Sequence, residues 1–261
     1  MLYTLLRLLG AYTLYEKWLY NSIKRKEMPT HIAVILDGNR RWASYSGLNP
    51  EEGYRYGAQK VEELLNWCLD LGIKVVTLYA LSLENMQRRK KSELEEIYRV
   101  LIKKSEEFLK NERVWREKVR FKIIGRKWLL PYEVRQTLEK LEIATNHHNN
   151  YFLNIAVAYG GRAEIVDALR KICVKVLRGE LNIDDINERI VEEHLYTNGI
   201  PYPHPDLVIR TSGEERISNF LLWQVAYSEL VFLDVYWPEF RKIDFLRAIR
   251  IYQRRERRMG A

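Results

Sequence analysis

Six short apolar-rich runs punctuate the chain: Ile32–Leu36, Val75–Leu81, Val119–Ile124, Leu153–Ala158, Leu207–Ile209 and Leu230–Leu233. The first contains no polar residue, the pattern of a strand covered on both faces. Helical patterns separate the runs. Val61, Leu64, Leu65, Cys68 and Leu69 form one stripe closed by Gly72, and Ser92 with Glu95 reads as a capping box for another helix. Pro131 reads as the first residue of a third helix, and Asp167–Leu177 lies within a fourth. Strands alternating with helices predict an α/β fold, a mainly parallel central sheet of about six strands flanked by helices. No repeat or Gly/Ser-rich linker divides the chain of 261 residues, so a single domain over 28–261 is expected.

Residues 1–27 read as an amphipathic helical extension. In "MLYTLLRLLGAYTLYEKWLY", Arg7 leaves only Leu8 to Tyr15 uncharged. That is too short for a bilayer span of ~20 helical residues. The stripe of Leu2, Leu5, Leu6 and Leu9 suits a helix lying on a membrane surface or one docked on the domain. A content of 47% hydrophobic and 30% charged residues describes a globular protein rather than a disordered one. The net charge of +8 calls for acidic partners: nucleic acid, anionic lipid head groups or phosphorylated small molecules. Cys68 and Cys173 both fall in helical patterns and are expected as buried free thiols, in keeping with a reducing cytoplasm.

Four of the runs end in unusual polar groups. "LDGNRRWA" carries Asp37, Gly38, Asn39, Arg40, Arg41 and Trp42; "LSLENMQR" carries Ser82, Glu84, Asn85 and Arg88; "VAYGGR" ends in Arg162; "VIRTSGEERISNF" carries Arg210, Arg216 and Ser218. In a parallel sheet these clusters converge on one edge, where ligands bind. Gly38 permits close backbone approach, and the helix after it would aim free N–H groups at an anion. Arginines offer forked donors for phosphate oxygens. Asp37 suits Mg²⁺ in a site where phosphates supply the other oxygens, and Glu229, opening the last run, is a second candidate ligand. The plainer alternative is an Asp37–arginine salt bridge beside a solvated basic face. No G-x-G-x-x-G or G-x-x-x-x-G-K-[ST] motif occurs, and Asn39 stands where a phosphoaspartate site would place a second acid. His147 and His148 lack a third ligand at metal-site spacing and read as a polar loop.

From His31 to Gly260 the sequence resembles the cis-prenyltransferases, the undecaprenyl diphosphate synthase family. "HIAVILDGNRRWA", "TLYALSLENMQR", "NIAVAYGGR" and "DLVIRTSGEERISNFLLWQVAYSELVF" carry the likeness, and "DGNRRWA" is closer to archaeal and eukaryotic members. The resemblance implies an Mg²⁺-dependent homodimer that adds isopentenyl diphosphate to an allylic diphosphate, farnesyl or geranylgeranyl, along a hydrophobic tunnel. It implies that Asp37 holds Mg²⁺ with Glu229, and that Gly38, Asn39, Arg40 and Arg41 bind the allylic diphosphate with Trp42 packed nearby. Ser82 and Asn85 would assist condensation, Arg88 would contact phosphate, and Arg210, Arg216 and Ser218 would hold isopentenyl diphosphate. Arg258 and Gly260 match a terminal R-x-G that reaches a neighbour's site, and Tyr151 falls where a side chain closes the tunnel floor. Pro50, Tyr54, Met86 and Glu215 depart from the bacterial pattern. Two rival readings are a non-catalytic partner subunit, which usually lacks the aspartate, and a nucleic-acid binder, which leaves the strand-end motifs unexplained.

Overall fold

The computed structural model describes residues 11–255. Six strands form one wholly parallel sheet: β1 (His31–Ile35), β2 (Val75–Ser82), β3 (Val119–Ile124), β4 (Tyr151–Tyr159), β5 (Leu207–Arg210) and β6 (Glu229–Phe232). Their spatial order is β3-β4-β2-β1-β5-β6. The chain builds outward from β1 on one side and, after β4, returns to add β5 on the other. β1 therefore stands at the switch in winding direction, where open parallel sheets place ligands. Ile35 pairs with both Tyr79 and Arg210, so the carboxyl ends of β1, β2 and β5 lie nearly level.

The main core lies on one face of the sheet. Helices α1 (Ala11–Lys24), α2 (Asn39–Tyr45), α3 (Pro50–Asp70), α4 (Leu83–Arg88), α5 (Lys91–Lys110), α6 (Glu112–Arg116), α7 (Tyr132–Ala144), α8 (Gly161–Leu177), α9 (Glu188–Glu192) and α10 (Lys242–Tyr252) complete the described chain. Val34, Leu78 and Ile155 meet Leu64 of α3, Ile97 and Phe108 of α5, Leu138 of α7 and Ile249 of α10. A smaller cluster on the other face joins Ala33, Ile35 and Tyr79 to Phe220 and Leu221. Tyr79 stacks on Phe220 at 4.4 Å. This second face is covered largely by irregular chain rather than by a helix.

Several local expectations change. α5 begins at Lys91 with Lys90 as its cap, so Ser92 lies inside the helix and forms no capping box. The capping box forms instead at Asn49 and Glu52, with Pro50 in the first turn of α3. Pro131 caps α7 rather than opening it. Cys68 is buried, but Cys173 is exposed on α8. Leu19 and Ile23 of α1 are buried in the main core, so the described part of the N-terminal segment is docked on the sheet's helical layer. Residues 1–10, with the Leu2, Leu5, Leu6 and Leu9 stripe, lie outside the described residues.

Glu229 needs a larger correction. It is the first residue of β6 and pairs with Leu207, three strand positions or about 10 Å below Arg210. In a parallel sheet, residues that open and close strands sit at opposite edges. Glu229 therefore lies away from Asp37 within one chain, and its carboxylate pairs with Arg255. Tyr151 likewise opens β4 at the amino edge, with the Lys74 ammonium 4.4 Å above its ring.

Candidate active site

A cavity of about 980 Å³ opens at the carboxyl edge of the sheet. Its polar end gathers Asp37–Arg41 after β1, Ser82, Glu84, Asn85 and Arg88 after β2, Arg162 after β4, and Arg210, Arg216 and Ser218 after β5. Its other walls are mainly apolar: Val61 of α3, Leu78 and Ile155 of the sheet, and Ile97, Val100, Leu101 and Phe108 of α5, with Lys104 of the same helix among them.

The turn after β1 is built for close approach. Gly38 has φ +103°, and a Cβ there would lie 2.8 Å from Tyr236 Cδ1 and 3.1 Å from Ser212 Cβ. This conformation brings the first turn of α2 to the cavity. Asp37 Oδ1 accepts from the Gly38 N–H at 2.7 Å, and its Oδ2 accepts from Arg210 Nη2 at 2.7 Å. Burial would push the Asp37 carboxyl up, but the hydrogen bond and charge of Arg210, with help from Arg41 and Ser212, hold it below the usual value. The group is thus an anion at neutral pH.

Arg210 is 4% exposed. Its Nη1 donates to Ser218 Oγ at 2.8 Å and to the Arg216 carbonyl. The loop that follows holds Ser212, Ser218, Asn219 and Leu221 at positive φ, a concentration of backbone strain at this edge. Glu214 pairs with both Arg41 and Arg216. Ser82 Oγ accepts from the Asn85 N–H at 3.0 Å, so the serine caps α4 and aims its first turn at the cavity.

Most of the residues expected at the site thus meet there. Asn39 does so by its backbone. Its Nδ2 donates to the Leu36 carbonyl at 3.0 Å, while its Oδ1 is buried against Gly57 without a hydrogen-bond partner. Trp42 lies outside the cavity lining, edge-on to Tyr56 at 4.9 Å, because it sits one turn beyond Gly38 on α2. Tyr151 lines a second cavity of about 80 Å³, and Phe108 lines both. Arg258 and Gly260 lie outside the described residues. Sequence reasoning missed Arg89, Glu214 and Asn219, although each adjoins a residue it named.

Among the described residues, no group of three or more His, Cys, Asp or Glu side chains could hold a metal. The arrangement nevertheless suits Mg²⁺. Asp37 is an ionised oxygen donor beside a cluster of arginines, and Mg²⁺ is often held by one or two carboxylates completed by substrate phosphates.

Fold and site together define an α/β protein with an aspartate and a cluster of arginines at the carboxyl edge of its sheet, above mainly apolar walls. Comparison with known proteins narrows this class. Residues 35–260 match the family described as "Putative undecaprenyl diphosphate synthase". The chain is 51% identical to the tritrans,polycis-undecaprenyl-diphosphate synthase (geranylgeranyl-diphosphate specific) of Methanocaldococcus jannaschii, covering 96% of this chain and 89% of that one. It is 52% identical to the protein of the same name from Pyrococcus furiosus, covering 96% and 94%. Among solved structures, lavandulyl diphosphate synthase from Lavandula x intermedia, in complex with dimethylallyl diphosphate, aligns with a TM-score of 0.84 at 37% identity. That alignment covers 90% of this chain and 99% of the plant enzyme. The chain belongs to the undecaprenyl diphosphate synthase family, the cis-prenyltransferases. Its activity is cis-prenyl chain elongation.

Proposed function

We propose that this chain elongates geranylgeranyl diphosphate with successive units of isopentenyl diphosphate, releasing pyrophosphate and forming Z double bonds. The carrying observation is the juxtaposition of the ionised Asp37, the first turn of α2 and a cluster of arginines at the mouth of a cavity whose other walls are mainly apolar. Relatives at about half identity carry the same primer in their names. Asp37 would hold Mg²⁺, which supplies charge neutralisation to the departing pyrophosphate. The backbone of Gly38 and Asn39, with Arg40 and Arg41, binds the primer's diphosphate, while Arg210, Arg216 and Ser218 bind that of isopentenyl diphosphate. Asn85, positioned by Ser82, orients the reacting end. The apolar walls serve as the tunnel for the growing chain.

A homodimer fits the exposed stripe of Val166, Leu169, Cys173 and Leu177 on α8. Exposed Leu14 and Trp18 on α1, with Arg250 4.8 Å over the Trp18 ring, suit a peripheral contact with an anionic bilayer from the cytoplasmic side. Among the described residues no helix is long and apolar enough to cross a membrane. The intact Asp37 site favours an enzyme over a non-catalytic partner, and the cavity accounts for the basic edge without nucleic acid.

The test is to incubate the protein with Mg²⁺, labelled isopentenyl diphosphate and either geranylgeranyl or farnesyl diphosphate, then size the dephosphorylated products. Long Z-polyprenols with the highest kcat/KM for geranylgeranyl diphosphate are expected. Asp37→Asn should lose about 10³-fold in kcat, the scale of one charge-stabilising group in a dry site. A preference for farnesyl diphosphate would overturn the primer assignment, and absence of polyprenol with either would overturn the elongation reading.

A further inference from the structure

The arginines at the cavity's polar end are mostly matched already. Arg41 pairs with Asp37 and Glu214, Arg210 with Asp37, and Arg216 with Glu214, while Arg40 comes within 3.8 Å of Glu93. Arg88 and Arg162 face solvent. Arg89, just past α4, is different. It lines the same cavity, its Nε is buried with no hydrogen-bond partner, and no carboxylate among the described residues forms an ion pair with it.

Its placement is set by Tyr54. The guanidinium lies 5.0 Å over the Tyr54 ring, and the Tyr54 hydroxyl donates to Glu93 at 2.6 Å. Glu93 is itself 5% exposed, so α3 and α5 together anchor the tyrosine that supports the arginine. Burial holds the Arg89 pKa below the ordinary arginine value, and the opposing influence of Tyr54, Glu93 and Asp37 only partly offsets it. A desolvated cation that lacks an anion is unfavourable until a counter-charge arrives. Glu93, which accepts from the Tyr54 hydroxyl, also lies 3.8 Å from Arg40 of α2, so Arg89 stands on the side of the cavity that the first turn of α2 lines.

We propose that Arg89 binds the diphosphate of the allylic primer, its guanidinium presented by Tyr54 as a forked donor. This rests on the elongation reading for the identity of the anion, and it adds a binding residue to that site. The Tyr54 ring beneath the guanidinium holds it at the cavity before substrate arrives, so less side-chain freedom is lost on binding.

The experiment compares wild type, Arg89→Gln and Arg89→Lys. Binding of geranylgeranyl diphosphate is measured by calorimetry without isopentenyl diphosphate, and the KM of each substrate by steady-state kinetics. Arg89→Gln should weaken the primer by roughly 10- to 100-fold while leaving the KM for isopentenyl diphosphate within about twofold, the scale for loss of charge-assisted bonds. Arg89→Lys should recover part of the loss, because it keeps the charge but not the fork. Should the Gln variant fail to fold by circular dichroism, the Lys variant decides, with a primer affinity at least about 3-fold weaker expected. Unchanged primer affinity in a folded variant would reduce Arg89 to a packing partner of Tyr54. A larger effect on isopentenyl diphosphate would move it to the other subsite and overturn the assignment. A wild type that binds geranylgeranyl diphosphate yet forms no polyprenol would refute the elongation reading alone, since the binding comparison still decides Arg89.

Discussion

His31 opens β1 with its ring fully buried between the Tyr202 carbonyl, 2.8 Å from Nδ1, and Thr77 Oγ1, 2.7 Å from Nε2. Burial drives its pKa down from 6.5 to about 3, although the Tyr202 carbonyl favours the charged form. The folded state therefore holds a neutral imidazole, while the unfolded chain takes up a proton below pH 6.5. The stability this group contributes is complete above that pH and is lost as the pH falls toward 3, amounting to at most about 5 kcal/mol for a shift of this size. Urea unfolding at pH 7.5, 6 and 5 should show stability falling with pH, and His31→Gln should flatten that slope. An equal slope in the variant would mean that carboxylates alone set it. His31 was legible in the sequence only as the first residue of a signature block. Its ring partners come from positions 46 and 171 residues away, which no local pattern discloses. Asp37 was legible as an acid at a strand end, whereas Arg89 was not distinguishable from Arg88: side by side, one is exposed and the other half-buried.

The approach of α2 to α3 sets the position of the turn that carries Asp37–Arg41 at the cavity. Gly53 and Gly57, one helical turn apart on α3, leave room for Asn39 at the start of α2. A Cβ on Gly57 would lie 2.2 Å from Asn39 Oδ1, and one on Gly53 would lie 2.4 Å from the Asn39 carbonyl oxygen. Trp237 closes the same junction, donating from Nε1 to the Gly57 carbonyl at 2.8 Å. Gly57→Ala should displace the first turn of α2 and lower kcat/KM for the primer by about 10- to 100-fold, the cost of misplacing a binding group by about 1 Å. Kinetics alongside a thermal melt would separate this from global unfolding, and near-normal kcat/KM would show that α2 is not held by this contact. The spacing "GYRYG" was visible in the sequence, but α3 read as a simple amphipathic stripe. Which helix lies against its glycine side is a tertiary fact.

Across the whole molecule, the cavity runs from the carboxyl edge beneath α3 and α5, and Phe108 lines both it and the smaller cavity that Tyr151 lines. Phe108 is 7% exposed and packs 5.1 Å from Phe121. In a close-packed interior such a ring would be a firm stop for a tail lengthening into the cavity. Phe108→Ala would join the two spaces and should lengthen the product distribution by one or more isoprene units, read by chromatography of the dephosphorylated products. An unchanged distribution from a folded variant would place the stop elsewhere. Tyr151 lines only the smaller cavity, so its place at a tunnel floor requires that the two spaces join.

Periodicity and strand-end chemistry were readable residue by residue, because an apolar run, a following Asp-Gly and clustered arginines carry local physical signals. They pointed to six strands and one parallel sheet, which the fold contains, and to four strand-end clusters, which line one cavity. Only tertiary packing settled which edge each residue occupies, which arginine has a carboxylate, and where the cavity stops. Glu229 shows the reason: its neighbours in sequence resemble those of a site residue, yet β6 runs parallel to β5 and carries it to the opposite edge. Burial and partnership depend on segments distant in sequence, and these come into contact only when the sheet and its helical layer close together.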